Sequence, residues 1–185
     1  MNRIKNIEIE NAPQPVAELY QAVENKLGLV PNMVKALGNS PAALQGYLGL
    51  SGAVANGKLA TRTREKIALL VAERNGCDYC LSAHSAIAGS LKVPQEEIES
   101  AREGRAQDTK EQAILSLAGD LLDYRGEVPE NRFAGLREAG VTDEEATEVV
   151  TNVALNLLTN YFNRFARTDI DFPVVRANEN VIAAA

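Results

Sequence analysis

Apolar residues recur along this chain at steps of three and four, and the intervening positions carry helix-starting and helix-stopping residues rather than strand alternation. The pattern predicts helices over 15–27, 31–37 and 41–55, the last ended by Asn56-Gly57. A further helix capped by Thr61 or Thr63 runs through Ile67, Leu70 and Val71 to Asn75-Gly76, a pair suited to a left-handed stop. The next starts at about Cys77 and fades near Gly89-Ser90. Pro94-Gln95-Glu96-Glu97 opens a short helix, with proline and acids where the helix dipole favours them. Asp108-Thr109-Lys110-Glu111 and Thr142-Asp143-Glu144-Glu145 read as capping boxes heading helices to about Tyr124 and Arg167. Segments 4–9 and 174–176 have some strand character but too little alternation to demand a sheet. The class is all-α, a single domain over 1–185 built around an antiparallel helix hairpin that carries a Cys-x-x-Cys pair.

The last long helix has its own signature. Asn152, Asn156 and Asn160 fall at steps of four on one polar stripe, with Thr159 and Asn163 nearby. Asparagine is a poor helix-interior residue unless its amide is bonded, so the stripe is expected to join helices or subunits rather than to line a pocket. Phe162 and Phe165 are assigned to the core.

Composition narrows the function classes. With 185 residues, 45% of them hydrophobic, the chain can bury a substantial core without disulfide staples. A formal net charge of −6 and the lack of clustered Lys and Arg argue against nucleic-acid binding. The N-terminal residues are interrupted by charges, which predicts no signal peptide and a cytoplasmic location. The uncharged stretch 36–57 holds Asn39, Ser40, Pro41, Gln45, Ser51, Asn56 and several glycines, so a buried or interface helix is expected there rather than a membrane span.

The chemistry is concentrated in one place. The only two cysteines and the only histidine lie within Cys77-Asp78-Tyr79-Cys80-Leu81-Ser82-Ala83-His84. On a helix, steps of three and four bring Cys77, Cys80 and His84 to one face. Glu65 lies ten residues before the corner at Asn75-Gly76 and His84 eight after Gly76, so both sit roughly 12–15 Å from it at about 1.5 Å per residue. They are therefore expected to face each other across the hairpin as a relay, Glu65 to His84 to Cys80. A free thiol with a pKa of about 8.5 is only a few per cent thiolate at neutral pH, and a helix N-terminus or a neighbouring imidazole can raise that share. Thiolate attack on a peroxide gives a sulfenic acid, which a second cysteine three residues away closes to a disulfide. Cys77 is nearer the helix N-terminus and Cys80 nearer His84, which leaves their roles open on physical grounds.

Three rivals bear on the same residues. The cysteines could be inert core thiols, although their coincidence with the only histidine argues otherwise. Glu65, Cys77, Cys80 and His84 could also hold zinc, but structural zinc usually draws ligand pairs from separate knuckles rather than from one helix face. Haem attachment is excluded, because Leu81 stands where the motif requires histidine. The preferred reading assigns no metal and no cofactor.

The spacing Glu65-x11-Cys77-x-x-Cys80-x-x-x-His84, with Thr63-Arg64-Glu65-Lys66-Ile67-Ala68 and Glu73-Arg74-Asn75-Gly76-Cys77 around it, resembles the alkyl hydroperoxidase D-like (AhpD-like) proteins of the carboxymuconolactone decarboxylase-like superfamily. The resemblance is strongest over 36–89. It implies an all-helical homo-oligomer, commonly a trimer or hexamer, that reduces organic hydroperoxides with electrons from a dithiol donor such as a lipoylated or thioredoxin-like protein. It also implies roles: Cys80 forms the sulfenic acid, Cys77 donates a proton and resolves the disulfide, and Glu65 and His84 relay protons. The chain departs from the best-known peroxidase of the family at Tyr79, where that enzyme has a second histidine. The relay implied here is therefore simpler, and Tyr79 is expected either to donate a hydrogen bond near the site or to hold its hydroxyl at the rim. A thiol–disulfide oxidoreductase and a non-redox decarboxylase of the same superfamily are the alternatives, and the decarboxylase would have no need of the cysteine pair.

Overall fold

The computed structural model describes residues 2–178; Met1 and 179–185, the ends of the expected 1–185 unit, lie outside the described residues. After a 3-10 turn at Ile9–Asn11, the described residues form α1 (Gln14–Leu27), α2 (Asn32–Leu37), α3 (Pro41–Ala55), α4 (Thr61–Arg74), α5 (Asp78–Ser90), α6 (Gln95–Arg102), α7 (Thr109–Asp123), α8 (Glu130–Glu138) and α9 (Asp143–Ala166). No strand occurs among them.

The sequence of α4 explains its central place. Ile67 to Ala72 is apolar on every face, and such a helix must be surrounded. Residues 66–73 are all buried, and α5, α6, α7 and α9 pack around them. The two charges that bracket this run are paired. Lys66 Nζ lies 2.7 Å from both Glu97 Oε2 and Glu111 Oε2, and Glu73 Oε2 accepts from Arg102 Nε at 2.7 Å. Burial works against the Lys66 charge, but the two carboxylates outweigh it and hold the ammonium above its ordinary range.

Several local expectations change. Neither Thr61 nor Thr63 caps α4: the helix starts at Thr61 behind Ala60 with no side-chain cap bond. Thr61 Oγ1 instead accepts from Arg64 at 3.1 Å, and Thr63 Oγ1 donates to Glu111 Oε1 at 3.0 Å. The box at Asp108 is half made. Asp108 accepts from the Glu111 amide at 2.8 Å, but the Glu111 carboxylate is drawn to Lys66 and Thr63 and does not reach back. The Thr142–Glu145 box is complete. Helix α8, entered through Pro129, is an addition to the predicted set.

The two strand candidates find other partners for their backbone donors. Ile7 N donates to Lys35 O at 3.1 Å, and Val175 N donates to Ser82 Oγ at 2.9 Å. Of the uncharged stretch, α3 buries only Leu44 and Val54, so the buried-helix alternative does not hold for it. Phe162 packs against the core, but Phe165 is 60% exposed, and Leu158 and Tyr161 beside it are exposed too. No helix among the described residues is long and apolar enough to cross a membrane.

Candidate active site

The corner between α4 and α5 is set by glycine. Gly76 adopts a left-handed φ of +60°, which only a residue without a side chain takes at little cost, and Cys77 N then donates back to Ala72 O at 2.9 Å. The chain reverses within a few residues, and α5 returns along α4.

Cys77 becomes the N-cap of α5, with its Sγ accepting from the Cys80 amide at 3.3 Å. The helical step of three places the Cys77 and Cys80 Cα atoms 5.3 Å apart, within disulfide reach, and the two sulfurs are bonded. Both residues are buried. One side of the cysteine turn is held down by the chain beyond α9. Asp78 Oδ1 accepts from Ala177 N at 2.9 Å, Asp78 Oδ2 from Arg176 Nη1 at 2.6 Å, and Glu73 Oε1 from Asn178 N at 2.7 Å.

Glu65 and His84 meet across the hairpin, with Glu65 Oε2 and His84 Nδ1 2.7 Å apart. Glu65 is the fifth residue of α4, beyond the first turn, so a dipole-favoured helix-start acid does not describe it. The contact engages Nδ1, so Nε2 is the ring nitrogen not used by Glu65. The side chains retain 15% and 23% exposure, so protons can be exchanged with solvent beside two buried sulfurs. The structure thus brings the four predicted residues together as two bonded pairs; no hydrogen bond joins His84 to either sulfur.

Tyr79 does not reach the rim. Its hydroxyl is buried and accepts from Met33 N at 3.1 Å, and its ring stands edge-on to Phe172 at 5.8 Å. Burial pushes the phenol well above its ordinary range, with the charge of nearby Asp171 adding to the effect. Tyr79 therefore ties α5 to α2 and to the chain after α9. Tyr47 on α3 is a site neighbour that sequence reading missed: burial raises its pKa, the Ser51 hydrogen bond opposes this, and the Glu65 charge adds to the rise. No periodic signal singles Tyr47 out, because α3 is uncharged throughout.

The asparagine stripe divides by function. Asn152 and Asn156 bond back to Glu148 O at 2.8 Å and Asn152 O at 2.9 Å within α9. Asn160 Oδ1 accepts from Asn75 Nδ2 at 3.1 Å and joins α9 to the hairpin corner, as the interhelix reading expects. Asn163 goes further, its Nδ2 donating to Cys80 Sγ at 3.5 Å. The signal for Asn163 lay in its step of three from Asn160, which keeps it on the same face.

Residues 41–119 match the family described as Carboxymuconolactone decarboxylase family, a span that holds Glu65, Cys77, Cys80 and His84. Among solved structures, an alkylhydroperoxidase AhpD core, an uncharacterized peroxidase-related protein from Ralstonia eutropha JMP134, is 25% identical with a TM-score of 0.80, covering 97% of this chain and 94% of its own. The chain has an AhpD-like fold, and 41–119 carries its sequence match to the carboxymuconolactone decarboxylase family.

An uncharacterized peroxidase-related protein from Silicibacter sp. TM1040 shares the AhpD-like fold at 22% identity and a TM-score of 0.79, covering 90% of each chain. So does the debrominase Bmp8, at 24% identity and a TM-score of 0.77, covering 91% of this chain and 92% of its own. No curated protein matches the chain significantly. One AhpD-like fold therefore carries more than one named chemistry, and the choice for this chain rests on its own residues.

Proposed function

We propose that this AhpD-like protein is a thiol-dependent peroxidase that reduces organic hydroperoxides through the Cys77/Cys80 pair. The observation that carries the reading is a buried cysteine pair, poised to make or break its disulfide, in the same hairpin as the Glu65–His84 contact. In the reduced protein the Cys80 thiolate attacks the distal peroxide oxygen. The O–O bond breaks, and the alkoxide takes a proton from the His84–Glu65 pair and leaves as an alcohol. Cys77 then attacks the sulfenic sulfur, the S–O bond breaks, and hydroxide leaves as water with the thiol proton. One hydroperoxide is reduced by two electrons and one dithiol is oxidised. A dithiol donor, of the lipoylated or thioredoxin-like kind, returns the pair to its reduced form in a reducing cytoplasm. The non-redox decarboxylase alternative gives no use to the sulfur pair.

The test is stoichiometric. Reduced protein given one equivalent of cumene hydroperoxide should lose both thiols, yield one equivalent of alcohol, and show a loss of two hydrogens within the peptide 75–92. Thiols left untouched under native conditions would overturn the proposal. Loss of bromide from 2,3,4-tribromopyrrole in place of peroxide reduction would replace it with the chemistry of the debrominase.

We also propose a homo-oligomer. Val150, Leu158, Tyr161 and Phe165 are large apolar residues exposed at helical steps on α9, and α3, which packs on α9, presents an uncharged outer surface. Such a face is best covered by a second copy of the chain. Light scattering should report more than one subunit, and Phe165→Asp should shift the mass downward. A monomeric wild type would end this reading.

A further inference from the structure

Asn163 is buried in the middle of the protein with only part of its hydrogen-bonding capacity used. Its Nδ2 contacts Cys80 Sγ at 3.5 Å, while its Oδ1 is buried with no partner. A helix-interior asparagine that leaves one amide atom orphaned is costly, and a leucine of similar size would avoid that cost. The cost makes sense if the sulfur contact changes strength during the reaction. A disulfide sulfur is a weak acceptor, whereas a thiolate is a charged one, and hydrogen bonds to charged groups are roughly twice as strong as neutral ones. The Asn163 amide thus interacts least with the oxidised state and most with the Cys80 thiolate.

We propose that Asn163 is the tuning group of the reactive sulfur, its Nδ2–H donating to Cys80 Sγ and stabilising the thiolate once the disulfide is reduced. The inference deepens the peroxidase reading and takes from it only the assignment of Cys80 as the attacking thiol. It explains how a sulfur with no bond to His84 can still be activated. Cys77 Sγ, at the helix N-terminus, accepts the Cys80 backbone amide instead. Each sulfur then has its own donor, one from the backbone and one from a side chain on a different helix. The donor comes from α9, outside the span 41–119 that the family match reaches.

The test measures Cys80 directly. In a Cys77→Ser background Cys80 is the single thiol, and its pKa is read from the pH dependence of alkylation. Asn163→Leu should raise that pKa by about one unit, slowing alkylation at neutral pH about tenfold, as expected for loss of a hydrogen bond to a charged group. Asn163→Asp has the same shape but no donor when ionised and should raise it at least as much. With both cysteines present, and at a pH above the Cys80 pKa where one disulfide takes up two electrons and one proton to give the Cys80 thiolate and the Cys77 thiol, the couple should shift about tenfold toward the disulfide in Asn163→Leu, or about 30 mV more negative against dithiothreitol. An unchanged pKa and potential in a folded variant would overturn the proposal. If the variants do not fold, the wild type still decides: the Asn163 side-chain amide signals in a nitrogen-15 spectrum should move with the Cys80 titration, and signals indifferent to it would refute the contact. No readout uses peroxide, so a protein inert to hydroperoxide would end the proposed function and leave this result standing.

Discussion

Cys80→Ser should consume organic hydroperoxide no faster than protein-free solution, whereas Cys77→Ser should consume a single equivalent and then stop. The difference follows from what each sulfur does. Without Cys80 there is no thiolate held by a side-chain donor and one helical turn from His84; without Cys77 the attack still occurs, but the sulfenic acid has no neighbour to resolve it. In Cys77→Ser, dimedone should therefore trap an adduct on Cys80. The geometry sets up a real competition, because Cys77 occupies the N-cap of α5 and Cys80 its first turn, so both sulfurs lie near the positive end of the helix. Faster trapping on Cys77 in the Cys80→Ser protein would mean that this end of the dipole outweighs the imidazole and the Asn163 amide. The roles would then reverse.

The hairpin at the centre of that reading was legible from sequence because its determinants are local. Gly76 supplies the left-handed corner, the apolar run Ile67 to Ala72 forces α4 inside, and similar distances from the corner bring Glu65 opposite His84. What the sequence hid depends on partners distant along the chain. Glu111 looks like half of a capping box until Lys66 claims its carboxylate, and Tyr79 looks like a rim phenol until the Met33 amide and Phe172 enclose it. Helix α8 is short and weakly patterned, so Pro129 at its head was its main signal. Phe165 has the composition of core and the position of surface. Periodicity tells which residues share a face and says nothing about which face meets the protein and which meets something else. Asn163 shows the same limit: its place on the stripe was readable, but its contact with Cys80 depends on how α9 crosses α5.

His84→Gln should lower peroxide turnover by roughly 10² to 10⁴, the usual worth of a positioned acid–base group, and Glu65→Gln should lower it through His84 rather than independently. The 2.7 Å contact between Glu65 Oε2 and His84 Nδ1 motivates the claim, since a carboxylate on one ring nitrogen orients the other toward the proton to be moved. Groups acting as one unit are non-additive, so the double variant should be little worse than His84→Gln alone. Both substitutions are near in size to the residues they replace and lie at partly exposed positions, so the fold should survive them and the kinetic comparison remain clean. Turnover measured for both single variants and the double variant decides the matter. If Glu65→Gln keeps nearly full activity, or if the two losses simply multiply, the Glu65–His84 contact is a helix-pairing interaction and no relay. His84 would then act without Glu65, alongside the α5 N-terminus and the Asn163 amide at the cysteine pair.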